Sequence, residues 1–124
     1  MGHEHWFMEV LHLRFVSLLE RRKCAARLLS ENLTEQQRRD YELRRYFHVV
    51  GGASGRRYRI RHGRVLNVDE LGPDGDRVSA LCFGPKGGLP TADVMLAQKL
   101  ALEHFENATL AIAFRYWPNK IYIP

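Results

Sequence analysis

Apolar positions along the chain change their period several times, and each change marks an element. Across residues 6–29, Met8, Leu11, Phe15, Leu18, Ala25 and Leu29 recur at alternating spacings of three and four, with Arg22 at the place of the missing member. That spacing predicts one long amphipathic helix. The stripe runs for about three heptads, long enough for a coiled-coil seam that would pair two copies of the chain. An arginine and an alanine within the seam make a weak zipper, so packing on the chain's own sheet is the expectation. Residues 30–33 break the pattern. Thr34-Glu35-Gln36-Gln37 then forms a capping box, which starts a second helix over 34–45. Glu35/Arg39 and Asp40/Arg44 stand four apart on its solvated face, and Tyr41 and Leu43 supply its apolar contacts.

From Tyr46 the period shortens to two. Residues 46–50 and 56–61 predict paired strands joined by Gly51-Gly52-Ala53-Ser54-Gly55, a glycine-rich loop without the lysine or the strand–loop–helix context of a phosphate-binding P-loop. Arg57, Arg59 and Arg61 alternate with Tyr58 and Ile60, which predicts one charged and one buried face. A three-residue turn, Arg61-His62-Gly63, with Gly63 left-handed, would keep Tyr58, Ile60, Leu66 and Val68 on the buried side. It leaves Arg57, Arg59, Val65, Asn67 and Asp69 outside, where Asp69 and Glu70 can neutralise part of the arginine row. Gly72-Pro73-Asp74-Gly75 is a turn, and residues 78–83 form a fourth strand carrying Cys82.

Thr91 and Asp93 mark the start of a third helix, over 91–105. Val94, Ala97, Leu100, Ala101 and Phe105 make its inward stripe, while Gln98, Lys99 and Glu103 face out. Past Ala108 the pattern fits strand and helix equally. Residues 115–124, with Trp117, Ile121 and Tyr122, form an apolar tail that docks on the domain, contacts a partner or is disordered. The expected fold class is α+β: two N-terminal helices, a four-stranded antiparallel meander over 46–83 and a core C-terminal helix packed on the sheet, in one domain of residues 1–124.

Composition adds a bias toward anions. Lys and Arg exceed Asp and Glu by 19 − 14 = +5, and fifteen of the nineteen bases are arginine, the side chain best shaped for phosphate and carboxylate. An apolar fraction of 45% places the chain among folded globular proteins and against disorder. Cys24 and Cys82 are the only cysteines, and two thiols without close spacing are not a disulfide framework; they read as buried free thiols in a reducing cytoplasm. Residues 6–19 are interrupted by Glu9, His12 and Arg14, which argues against a membrane span or a targeting segment. The glycosylation sequons at Asn32 and Asn107 matter only in a secreted protein.

Within residues 55–103, Tyr58-Arg59-Ile60, Gly63-Arg64, Asn67-Val68, Leu81-Cys82, Pro85, Leu89-Pro90 and Asp93-Val94-Met95-Leu96-Ala97-Gln98-Lys99-Leu100 resemble a pattern in a group of short, functionally uncharacterised bacterial proteins. The likeness covers about two-fifths of the chain and implies a compact bacterial domain, with no activity or ligand attached. The order strand pair, Cys, Pro-containing loop, helix is also distantly similar to the SWIM zinc-binding module. The paired cysteines and Cys-x-His end of that module are missing around Cys82, which argues against metal.

Chemistry is sparse. His12, Cys24, His48, His62, Cys82 and His104 form no close ligand pair, so no metal is expected. His3 and His5 next to a free amino terminus bind copper or nickel only adventitiously. Cys82/His104 or Cys24/His48 as a nucleophile and base is a third-ranked reading, with both thiols looking like small core residues; no catalytic residue and no cofactor is assigned. The favoured function is a non-catalytic protein-interaction or accessory module, or a homodimer, anchored by Phe15, Leu18, Trp117 and Tyr122. The alternative is weak nucleic-acid binding through phosphate contacts from Arg57, Arg59, Arg61 and Arg64, extended by Arg44 and Arg45 and by Arg38 and Arg39. An inward Tyr58 would not stack on bases.

Overall fold

The computed structural model describes residues 3–117, with side chains from Ser17 onward. Its elements are α1 (His3–Glu31), α2 (Glu35–Arg44), β1 (Tyr46–Val50), β2 (Arg57–Arg61), β3 (Val68–Leu71), β4 (Arg77–Cys82), α3 (Thr91–His104), α4 (Glu106–Ile112) and β5 (Phe114–Tyr116). The α+β class holds. The sheet, however, has five strands in the order β1-β2-β3-β4-β5, because the ambiguous stretch divides into a short helix and an edge strand beside β4. Residues 118–124, including Tyr122, lie outside the described residues.

The capping box forms as its residue types require: Thr34 Oγ1 accepts from the Gln37 amide and Gln37 Oε1 from the Thr34 amide. Glu35 pairs with Arg39 at 2.6 Å. Asp40 and Arg44 do not pair; Asp40 accepts from Gln36, and Arg44 reaches the Tyr46 hydroxyl. Leu43 is 82% exposed, leaving Tyr41 as the main apolar contact of α2, edge-on to Phe47.

Alternation along β1 and β2 puts Phe47, Val49, Tyr58 and Ile60 on one face, joined there by Val68 and Leu81. Among the described residues helices cover this face, through Leu29 of α1, Leu33 in the connection after it, and Met95, Leu96 and Leu102 of α3. Tyr58 points inward as its register requires. The β2–β3 connection is longer than a three-residue turn: residues 62–67 intervene, Gly63 has a positive φ of 149° and Leu66 is left-handed as well, at φ 48°.

Polar pairs set the orientation of the helices. Asn67, expected outside, is buried and exchanges two hydrogen bonds with Gln98, 2.8 and 3.0 Å long; Gln98 also donates to the Phe83 carbonyl. This satisfied amide pair rotates α3 from its expected stripe, burying Gln98 and Lys99 and exposing Leu100 and Phe105. No side chain caps α3; Pro90 occupies the cap position, and Thr91 is already its first helical residue. α1 also departs from expectation. Its end packs on α3, but Ser17 to Cys24 are all exposed, so this part of the helix does not lie on the sheet and Cys24 is not a core thiol.

The glycine-rich loop is a hairpin connection that also holds a buried carboxylate. Glu106 Oε1 accepts from the Ala53 and Ser54 amides, and its Oε2 accepts from the Ser54 and Tyr58 hydroxyls, at 2.5–3.0 Å. A Cβ on Gly51 would lie 2.2 Å from Glu106 Oε2, and one on Gly52 would lie 1.9 Å from the Glu103 carbonyl, so both positions exclude side chains. Burial pushes the Glu106 carboxyl up, but the bonds from Ser54, Tyr58 and Ala53 outweigh it and the net shift is downward. The Tyr58 hydroxyl is pushed well above its usual range, first by burial and then by Glu106.

Glu106→Gln places an amide against these donors and is expected to cost about 1–3 kcal/mol at pH 7 in urea unfolding. A carboxyl whose folded-state pKa is depressed stabilises fully above its unfolded value and loses that contribution as pH falls through its folded value. The gap between wild type and Glu106→Gln therefore narrows as pH is lowered from about 5 to 3.

Candidate anion-binding surface

The alternation that buries Tyr58 and Ile60 sends Tyr46, His48, Arg57, Arg59 and Arg61 to the opposite face of the sheet. No helix packs on that face among the described residues. At its centre is Asp69, 0% exposed, opposite Arg59. Asp69 Oδ2 accepts from Arg59 Nε and Arg61 Nε, each at 2.9 Å. Its Oδ1 accepts from a terminal nitrogen of Arg61 at 3.2 Å and lies 3.8 Å from Arg77. The carboxylate thus orders three guanidiniums, all of which keep part of their surface in water. Arg57, on the same face, has no ion pair among the described residues. Three arginines share one carboxylate and a fourth stands beside them, so the face is positive.

Aromatic surface borders these charges. The Arg59 guanidinium lies 5.5 Å from the Tyr46 ring centre, and Tyr46 meets His48 edge-on. β5 adds Phe114 and Tyr116, 64% and 52% exposed, opposite Cys82 and Ala80. Burial lowers the pKa of His48, and Arg57 and Arg59 lower it further against the pull of Asp40. The ring is therefore neutral at pH 7.

The expected basic residues divide into separate groups. Arg57, Arg59 and Arg61 share the outer face. Arg64 stands in the β2–β3 loop and donates to the Gly87 carbonyl, and Arg45 is the left-handed C-cap of α2 at φ 62°. Arg44 donates to the Tyr46 hydroxyl at 3.4 Å. Arg38 is turned away altogether, donating to the Ser30 and Leu33 carbonyls, and Arg39 is held by Glu35. Glu70 is on the inner side, with Arg56 at 2.8 Å, Ser79 at 2.9 Å and Arg115 at 3.5 Å. Among the interaction candidates, Leu18 is 49% exposed, and Trp117 stacks under Arg115 at 4.9 Å. Phe15 and Tyr122 lie outside the described side chains.

Sequence reading overlooked Arg77, Tyr46, His48, Phe114 and Tyr116 as members of this face. Tyr46 and His48 were detectable, since Phe47 and Val49 alternate with them. Arg77 was not, because a bulge at Glu70/Leu71 shifts the β3–β4 register and places it opposite Leu71. The two proposed thiol–histidine pairs are split between layers: Cys82 and His48 are on the outer sheet face, whereas His104 and Cys24 belong to helices on the other side. Comparison with protein-family models, curated proteins and solved structures finds no match.

Asp69→Asn removes the countercharge from three arginines and leaves a buried amide among them. It is expected to lower stability by about 1–3 kcal/mol in urea unfolding, less than for a fully dry pair because the arginines remain hydrated.

Proposed function

We propose that the protein is a non-catalytic binding module that takes single-stranded nucleic acid on the outer face of its sheet. The observation that supports this reading is the composition of that open face: Arg57, Arg59, Arg61 and Arg77, with Asp69 their one ion-pair partner among the described residues, beside Tyr46, Tyr116 and Phe114. Arginines ordered by a buried carboxylate keep donors for phosphates, and exposed rings offer stacking surface that any base can use. Base-edge readers are few, so the binding is tolerant of sequence. In this reading Tyr46 and Tyr116 stack on bases, and the inward Tyr58 has no part.

Fluorescence anisotropy with a labelled single-stranded oligonucleotide tests it. Contacts to three or four phosphates predict affinity falling roughly 10- to 50-fold between 50 and 200 mM salt. Arg57→Glu with Arg77→Glu should abolish binding, and Tyr46→Ala with Tyr116→Ala should weaken it about tenfold or more by loss of stacking. Binding that ignores both pairs of substitutions, or no binding at low salt, would overturn the reading.

Contact with a second copy of the chain is a second reading, supported by α1. Its exposed segment carries Leu18 and Leu19 with no covering element among the described residues. Light scattering should then report a dimer that Leu18→Glu dissociates without unfolding. A monomer at every concentration would remove this reading.

A further inference from the structure

Where β1 begins and β2 ends, a cleft of about 480 Å³ opens between α1, the end of α2, the β2–β3 loop and the start of α3. Its volume lies within the roughly 300–1,000 Å³ of small-molecule sites. Arg21 and Arg22 of α1, Arg45 and Arg64 line it, and no carboxylate does. None of the four has an ion-pair partner among the described residues. Three segments distant in sequence, α1, the end of α2 and the β2–β3 loop, thus bring exposed guanidiniums without ion-pair partners among the described residues to one concave surface, which gives it a positive potential.

The remaining walls add donors and an apolar floor. α3 enters the cleft at Thr91 and Ala92; the Asp93 and Val94 amides donate to the Pro90 carbonyl, and with no side chain capping the helix the Thr91 and Ala92 N–H groups and the positive end of its dipole remain there, with Asp93 in the same turn outside the cleft lining. His62 Nδ1 is 2.8 Å from the Tyr41 hydroxyl and 3.2 Å from Arg45. Arginine can only donate, so Nδ1 accepts and the neutral ring carries its proton on Nε2, a further donor. Burial, and then Arg45, lower the pKa of His62, which keeps the ring neutral. Leu18, Leu89, Pro90 and the edge of the Tyr41 ring, over which the Arg45 guanidinium lies at 4.8 Å, supply the apolar surface. Arg45 itself holds a left-handed backbone, φ 62° and ψ 30°, that glycine would adopt without strain.

We propose that this cleft binds a terminal phosphate group carried on a nucleoside, with the phosphates among Arg21, Arg22, Arg45 and Arg64 and the base against the apolar floor. The carrier is a free nucleotide or the phosphorylated end of a strand. The site is separate from the outer sheet face and does not rest on the strand-binding reading.

Isothermal titration of the full chain tests this with a nucleoside diphosphate, inorganic pyrophosphate, and one oligonucleotide with and without a 5′ phosphate. Saturable binding of the diphosphate, or a 5′-phosphate-dependent gain for the oligonucleotide, supports the site and identifies its carrier. Arg45→Gly, chosen to relax the backbone while removing the charge, and Arg64→Gln should each weaken that binding about tenfold or more. Arg57→Glu with Arg77→Glu should leave it unchanged, which separates this cleft from the sheet face. Three results would overturn the proposal: no binding of any probe, pyrophosphate binding as tightly as the nucleoside diphosphate, or affinity indifferent to Arg45→Gly and Arg64→Gln in folded protein.

Discussion

Asp69 stands at the middle of the sheet without contact to water, and a carboxylate in that position needs positive charge around it. Arg59 and Arg61 of the neighbouring strand and Arg77 of the next supply it. The outer face therefore has a fixed geometry: guanidiniums that would otherwise spread into solvent are drawn to one point and share one negative charge. That constraint converts a row of basic side chains into an ordered surface. It also means that part of the arginine row is structural, so the charge free to meet a ligand resides chiefly in Arg57, Arg77 and the outer edges of the other two.

The inner face obeys the same rule with different partners. Its aliphatic and aromatic centre is framed by two polar locks, the Asn67–Gln98 amide pair and the Glu106 carboxylate held by residues 53, 54 and 58. Hydrophobic burial alone would tolerate several rotations of α3 on the sheet, since apolar residues occupy most of its circumference. Only one rotation lets Gln98 meet Asn67 and the Phe83 carbonyl. The second lock ties the β1–β2 loop to the start of α4, and so settles where β5 returns beside β4.

These locks leave the two basic surfaces independent of one another. The outer face belongs to the strands, and the cleft belongs to the places where chain segments end: the C-cap of α2, the β2–β3 loop and the uncapped start of α3. Ends of elements carry unpaired backbone groups and unusual backbone angles, and basic side chains gathered there face a pocket more readily than those along a strand. α1 forms the remaining wall through Arg21 and Arg22, which gives its exposed segment a role that its weak apolar stripe does not account for.

Linear order of residues dictates those features that backbone periodicity controls. The two-residue alternation at 57–61 sets Tyr58 and Ile60 against the arginines, and Asp69 falls opposite Arg59 once Ile60 and Val68 share a face. The Thr34–Gln37 box caps α2 because both of its hydrogen bonds are local. Packing alone settles the groups whose environment comes from elsewhere in the chain. Gln98 looked like a surface residue until Asn67, thirty-one positions away, supplied its partner. Arg77 joined the face through a bulge, and Arg21, Arg22, Arg45 and Arg64 met through the packing of three separate segments. Whether a polar side chain is buried, or a charge has company, depends on a partner in space, and sequence spacing carries little information about partners that are distant along the chain.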